Sequence, residues 1–202
     1  IRLGDSRDLT LTPYLSTQTR TLEARYRQAF LAGTLQVDGA IGTDTIRPGA
    51  TRSYVFADGQ FALPRDWQLS FRIEDASDEA FLLDYGYSDA DRLESALTLL
   101  RVGDDTLARF GIAHVDSLRE DEIDARLPPV LGDAAWERRT AFASGVLTYG
   151  VSADAFARTG DGTGDAGRDM ARVGGFGAWH GQWIWPRGIV AAADARLALD
   201  RF

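Results

Sequence analysis

Apolar and polar residues alternate along this chain in runs of about ten positions, each run closed by a turn. The pattern opens with Asp8-Leu9-Thr10-Leu11-Thr12-Pro13-Tyr14-Leu15. It recurs over residues 21–30, 34–42, 54–63 and 67–75, and it closes over residues 189–200. Successive side chains of a β-strand point to opposite faces, so a period of two makes strands with two chemically different sides. A chain built from such runs is restricted to sheets whose sides meet different surroundings.

The faces can be assigned from the letters alone. Leu22, Ala24, Tyr26 and Phe30 share a side, and Glu23, Arg25 and Arg27 share the other. Leu35, Val37 and Ile41 oppose Gln36 and Asp38. Trp67, Leu69, Phe71 and Ile73 oppose Gln68, Ser70, Arg72 and Glu74. Alternation alone suits both a soluble two-layer protein and a barrel wall. Runs of about nine to twelve residues match a tilted crossing of the hydrocarbon layer, whereas soluble strands more often stop near five or six.

Connection lengths separate the two further. Tight turns are predicted at residues 4–7, 32–33, 64–66, 103–105 and 186–188, and longer loops at 44–50, 77–91, 117–126 and 159–167. On the long-loop side the connection near Gln18-Thr19 is the short exception. Short connections on one rim and long ones on the other are the layout of an up-and-down outer-membrane barrel. A Greek-key sandwich mixes the lengths. The expected fold is therefore all-β: antiparallel up-and-down strands of a partial outer-membrane β-barrel, about eleven strands in one segment over residues 1–202.

Composition narrows the function. A net charge of −8 with no polybasic stretch argues against nucleic acid as a partner. No run approaches the ~18 apolar residues of a membrane helix, which leaves a barrel open. There is no Cys, so neither disulfides nor thiolate metal sites are expected within the segment. The basic residues are all Arg, and Lys and Asn do not occur; tight turns are therefore expected to use Gly and Asp in place of Asn-Gly. Ile1-Arg2-Leu3 reads as the end of a strand already in progress, and Phe202 falls inside another run, so a fragment of a larger barrel is expected.

Catalytic chemistry is not expected, and neither is a cofactor or a metal. The two histidines, His114 and His180, lie in strand-like runs that suggest no triad. Asp161-Gly162-Thr163-Gly164-Asp165 with Asp169 offers carboxylates for calcium, but the spacing is not that of an EF-hand and a solvated loop is the better reading. Gly174-Gly175-Phe176-Gly177 lacks the Lys and the strand-to-helix context of a phosphate loop and reads as a bend in a strand. Trp67, Trp179, Trp183 and Trp185 lie near strand ends, where rings favour the headgroup level of a bilayer, with ordinary cross-strand packing as the alternative. Residues 78–86 predict a short helix with an apolar face, ended by Gly86, that packs on the barrel rim or, alternatively, touches another domain.

The stretch Arg2-Leu3-Gly4-Asp5-Ser6-Arg7-Asp8-Leu9-Thr10-Leu11-Thr12-Pro13-Tyr14-Leu15-Ser16 resembles the start of the barrel domain of the LptD family. Arg25-Tyr26-Arg27, the Leu-Leu-Asp-Tyr-Gly and Ser-Asp-Ala-Asp-Arg-Leu segments within residues 77–93, and Leu127-Pro128-Pro129-Val130 continue the likeness, and those two segments are similar to alphaproteobacterial members. The resemblance implies the N-terminal part of a barrel of about 26 strands. It implies lipopolysaccharide as the cargo, carried into the outer leaflet through a lateral gate between the first and last strands. It implies a lipoprotein plug like LptE in the lumen, and periplasmic bridge components reached through an N-terminal domain. Pro13 matches the family's proline beside the gate, so Leu9, Leu11, Pro13 and Leu15 are the expected gate-strand residues. Glu23, Arg25, Arg27, Asp38, Arg72 and Glu74 are the expected lumen-facing residues, free to meet sugars and phosphates or to pair along the wall. Two orientations stay open: long loops belong outside the cell, but a first strand rising from the periplasm would put them inside. A porin-like channel and a soluble all-β binding domain are the alternative functions.

Overall fold

The computed structural model describes residues 1–78, 80–119, 130–157 and 169–202. The loops expected at 117–126 and 159–167, most of the 161–169 acidic stretch and Leu127, Pro128 and Pro129 lie outside the described residues or largely so.

Period-two alternation becomes a single antiparallel sheet of eleven strands in which every strand pairs with its neighbours in sequence. The order runs from β1 (Arg7–Leu15), β2 (Thr19–Phe30) and β3 (Gly33–Asp44) through β4 (Arg52–Leu63), β5 (Trp67–Ala76) and β6 (Arg92–Val102). It continues with β7 (Thr106–Ser117), β8 (Val130–Phe142), β9 (Gly145–Ala157), β10 (Met170–Trp185) and β11 (Ile189–Arg201). A four-residue helix, α1 (Phe81–Asp84), sits between β5 and β6, and a short 3-10 turn, Pro186–Gly188, joins β10 to β11. The sheet is not closed: β1 and β11 stand at opposite ends of the order. No helix among the described residues is long and apolar enough to cross a membrane. The fold is thus the expected up-and-down sheet of a partial barrel. The strands reach 16 residues in β10, longer than the expected nine to twelve.

The register keeps the two faces apart across the whole sheet. Leu22 lies opposite Ile41, Tyr26 opposite Val37 and Leu35 opposite Gly59. One residue along, Arg25 lies opposite Asp38 and Asp58 opposite Arg72. A slip of one residue would exchange the faces, so the alternation itself fixes the pairing. Gly174, Gly175 and Gly177 lie inside β10, in keeping with a strand and not a phosphate loop.

Turn parity matches expectation, but one turn carries no signal in the sequence. The tight rim holds residues 31–32, 64–66, 103–105, 143–144 and 186–188 between strands, and the other rim holds the longer connections apart from the short turn at 16–18. Residues 143–144 join β8 to β9, and both Ala143 and Ser144 have positive φ, 47° and 60°. Arg65, Asp66 and Arg187 share that backbone. Positive φ at both positions of a two-residue turn matches the right-handed twist of the flanking strands, and Ala143-Ser144 adopts it although neither residue is Gly or Asn, whereas Leu31-Ala32 does not. The expectation that Gly and Asp mark the tight turns holds at 64–66, 103–105 and 186–188, which contain Asp66, Gly103 and Gly188, and fails at Ala143-Ser144. A left-handed backbone costs a residue with a Cβ about 1–2 kcal/mol. Replacing Ser144→Gly, alone or with Ala143→Asn, is expected to stabilise the β8–β9 hairpin by about 1 kcal/mol. A rise in the unfolding midpoint of the detergent-folded protein checks this; a fall would contradict it.

Candidate functional site

Two places depart from a plain alternating wall: a loop seated on the polar face, and the outer edge of β1.

The loop is residues 77–91, between β5 and β6. Its apolar residues Phe81 and Leu82 are fully buried, 0% and 1% exposed, in a sheet that otherwise has few buried side chains. They pack on the end of the polar face marked by Tyr54, whose ring lies 6.3 Å from that of Phe81 and 4.7 Å from that of Tyr87. Tyr85 and Tyr87 stack at 5.8 Å. The chain can turn back at Gly86 because its φ is +67°. The expected short helix that packs on the rim is therefore present, ended as expected by glycine.

Charge holds it there. Arg52, the first residue of β4, is 1% exposed. Its guanidinium donates to both oxygens of Asp78, at 2.9 and 2.7 Å, to Asp84 at 2.8 Å and to Asp44 at 3.0 Å. The cation also lies 5.0 Å from the Phe81 ring centroid. Asp44 closes the arrangement. One of its oxygens accepts the backbone N–H groups of Ile46 and Arg47, and the other accepts Arg52 and the Tyr85 hydroxyl at 2.8 Å. The Tyr85 oxygen reaches Thr19 on β2 as well, at 2.9 Å. Arg47 adds a partly exposed second cation 3.6 Å from Asp78. Planar guanidinium suits this task because its fork serves several carboxylates at once. Arg52 holds the Asp78 carboxyl below its ordinary range, and burial together with the Glu23 carboxylate pushes the Tyr87 phenol up.

The expected lumen residues lie on this same face. Arg25 pairs with Asp38 directly across the β2–β3 ladder, and Arg27 donates to Asp8 on β1 at 3.2 and 3.1 Å. Glu23 meets Tyr87 of the loop. Glu74 accepts the backbone N–H of Glu94 at 3.0 Å. Arg72 stands opposite Asp58 in the register. Pairing along the wall is thus what the structure shows for Arg25, Arg27 and Asp38. These pairs are more than a third exposed on at least one side, so each contributes well under about 1 kcal/mol. The Arg52 cluster was not among the expected residues. Its partners stand up to 32 residues away in sequence, and no local pattern links them.

The expected gate residues Leu9, Leu11, Pro13 and Leu15 lie on the apolar face of β1, with Pro13 opposite Leu22 and Leu15 79% exposed. Leu9 exchanges backbone bonds with Ile1, on the edge of β1 away from β2. Backbone groups alternate in direction along a strand, so Leu11, Pro13 and Leu15 aim the same way. Ser16, of the other parity, bonds back to Thr19. The donor that Pro13 lacks is therefore missing from the outer edge, and the β1–β2 ladder loses nothing. His114 bonds Asp116 at 3.0 Å and His180 bonds Asp194 at 2.7 Å, both exposed.

Removing Arg52 leaves three carboxylates facing one another. Arg52→Met is expected to destabilise the seated loop by about 3–5 kcal/mol. Faster hydrogen exchange over residues 81–88 reports it; unchanged protection would contradict it. A carboxyl held low stabilises the seat above its ordinary value of 3.8 and ceases to do so as pH falls through the depressed one. Protection of the same amides is therefore expected to persist from pH 7 to pH 5 and to fail only below about 3.8.

Comparison with curated proteins finds no match. A family model described as "LptD: LPS transport system D" matches residues 50–165, more than half of the chain, a span that holds Arg52, the seated loop and the strands from β4 through β9. The matched span and the open, two-faced sheet agree: this chain belongs to the LptD family of outer-membrane lipopolysaccharide transport proteins.

Proposed function

We propose that this segment is the N-terminal part of the barrel wall of a lipopolysaccharide translocon, with β1 beside a lateral gate through which the glycolipid enters the outer leaflet. The apolar face lies against lipid and the polar face lines the lumen, where a lipoprotein plug of the LptE kind seats. Periplasmic bridge components deliver lipopolysaccharide through an N-terminal domain. Leu9, Leu11, Pro13 and Leu15 belong to the gate-side strand, and Glu23, Arg25, Arg27, Asp38, Arg72 and Glu74 keep the lumen wet.

Ring placement supports the two-solvent reading. Phe30, Trp67, Phe110, Phe142 and Trp183 lie on the apolar face in its half nearest the tight turns, and Trp136 lies on the same face at mid-strand. Trp67 and Phe110 stand 6.0 Å apart, and the Trp179 indole donates to Phe142 O at 2.9 Å. Amphipathic rings in such a band favour a headgroup level.

One observation carries the gate reading: Pro13 removes a donor from the outer edge of β1, the edge that residues 1–3 pair with. A strand held there forms fewer bonds and parts more easily. In the intact protein, Pro13→Ala is expected to strengthen that pairing and slow lipopolysaccharide export. Export at the wild-type rate would sink the gate role of Pro13.

A further inference from the structure

The loop that leaves β5 does not lie over its own strands. It folds back across β4 and β3, and its tyrosines reach β2 before the chain returns to β6. Asp78 and Asp84 take Arg52 of β4, the Tyr85 hydroxyl meets Asp44 of β3 and Thr19 of β2, and Tyr87 meets Glu23 of β2. Three strands of wall, β2, β3 and β4, are thereby tied by side chains in addition to their ladders, and β5 joins them because the loop continues from it.

The ladder just beyond this panel is shortened. β4 pairs with β5 up to Tyr54 and Ala76, at the loop-bearing end. β5 pairs with β6 only as far as Arg72 and Ala96. Past that point side chains stand in for the ladder. Ser95 Oγ accepts the Glu74 N–H at 3.0 Å and donates to the Glu74 carbonyl at 3.2 Å, and the Glu74 carboxylate takes the Glu94 N–H. Side-chain bonds of this kind yield more readily than paired backbone, because rotamers change without moving the strands.

A tied panel next to a loosened line behaves as one body with a place to flex. We infer that residues 77–91 are a brace that makes β2–β5 a rigid panel behind β1, so that Arg52 and Tyr85 are positioning residues for lipopolysaccharide export. The inference rests on the gate reading of β1. Movement of β1 against a stiff neighbour opens the seam; movement against a slack one is absorbed within the wall. The brace sets how much of any displacement at the outer edge of β1 becomes an opening.

The test uses the full-length protein in complex with its lipoprotein partner, reconstituted in vesicles that accept lipopolysaccharide. Spin labels at Gln18 and Ser88 read the distance between the β1–β2 turn and the loop. Tyr85→Phe keeps the ring and removes the hydroxyl that joins Asp44 to Thr19, so it spares folding. It is expected to raise the unseated fraction of the loop roughly 2- to 10-fold, the weight of a hydrogen bond, and to lower export by a similar factor. Arg52→Gln is expected to unseat the loop further. A cysteine pair at positions 19 and 85, joined by a short bis-maleimide in the Arg52→Gln protein, is expected to restore export, because the tether replaces the brace without replacing the charge.

Four outcomes overturn the inference. The loop distance stays narrow in both variants; or the loop is released while export is unchanged and Pro13→Ala still slows it, which leaves the gate reading standing; or export falls and the tether does not restore it, which marks general destabilisation; or neither Pro13→Ala nor the brace variants alter export, in which case the gate reading fails and the inference with it.

Discussion

Backbone hydrogen bonds between neighbouring strands carry this structure, because among the described residues only the four-residue α1 and its loop pack on the sheet. A soluble sheet packs one face on a core and can tolerate a missing rung. Here Ile184 and Leu197 stand 74% and 66% exposed on the two faces of the β10–β11 end, and side-chain burial within the segment is slight. In a hydrocarbon layer an unpaired N–H or C=O costs several kcal/mol, since no water can replace its partner. The ladder is therefore both the scaffold and the condition for lying in lipid. Membership of an outer-membrane family supplies the solvent that a soluble reading of the apolar face lacks. A soluble binding domain, one of the alternatives the alternation left open, would have to expose that face to water.

Magnitudes sort the charges on the polar face. Arg25 with Asp38 and Arg27 with Asp8 are solvated pairs that set local order and little energy. Arg52 is different in kind. Both it and Asp44 are almost fully removed from solvent, at 1% and 3% side-chain exposure. Desolvation of such groups is repaid only when every donor and acceptor has a partner. Four of the five guanidinium N–H groups meet that condition through Asp78, Asp84 and Asp44, and Asp44 meets it through Arg52, Tyr85 and two backbone amides. Phe81 and Leu82 seal the site from above, so apolar burial and charge pairing support each other. Thr21 and Ala40 become buried at the same end of the polar face.

The periodic part of this architecture is legible in the letters, and the non-periodic part is not. Faces, strand number and rim parity all follow from a two-residue period interrupted by turns, because register and burial obey the same period. The short helix was legible too, from an apolar cluster stopped by Gly86. Ala143-Ser144 was not, since neither residue favours positive φ, which matches instead the twist of the paired strands. Arg52 was not, because its meaning lies in carboxylates at positions 44, 78 and 84 that come together only when β3, β4 and the loop share a rim. Pro13 stood out in sequence, but which edge it weakens required the direction of the Leu9 backbone groups.

The need for complete ladders also says where a wall of this kind can part. Separating two strands in lipid orphans every rung between them, and each orphaned donor resists the separation. A proline has no donor to orphan. Placed on the outer edge of β1, Pro13 lowers the bonding of the closed state and, on the gate reading, also lowers the cost of the open one. Ser95 and Glu74 achieve the second effect differently at the β5–β6 line, where hydroxyl and carboxylate groups keep backbone amides bonded beyond the end of the ladder. The two incomplete stretches bound the strands that the 77–91 loop ties together. A wall of this kind parts most readily at edges whose backbone groups are absent or served by side chains, and the rungs between β2 and β5 are whole.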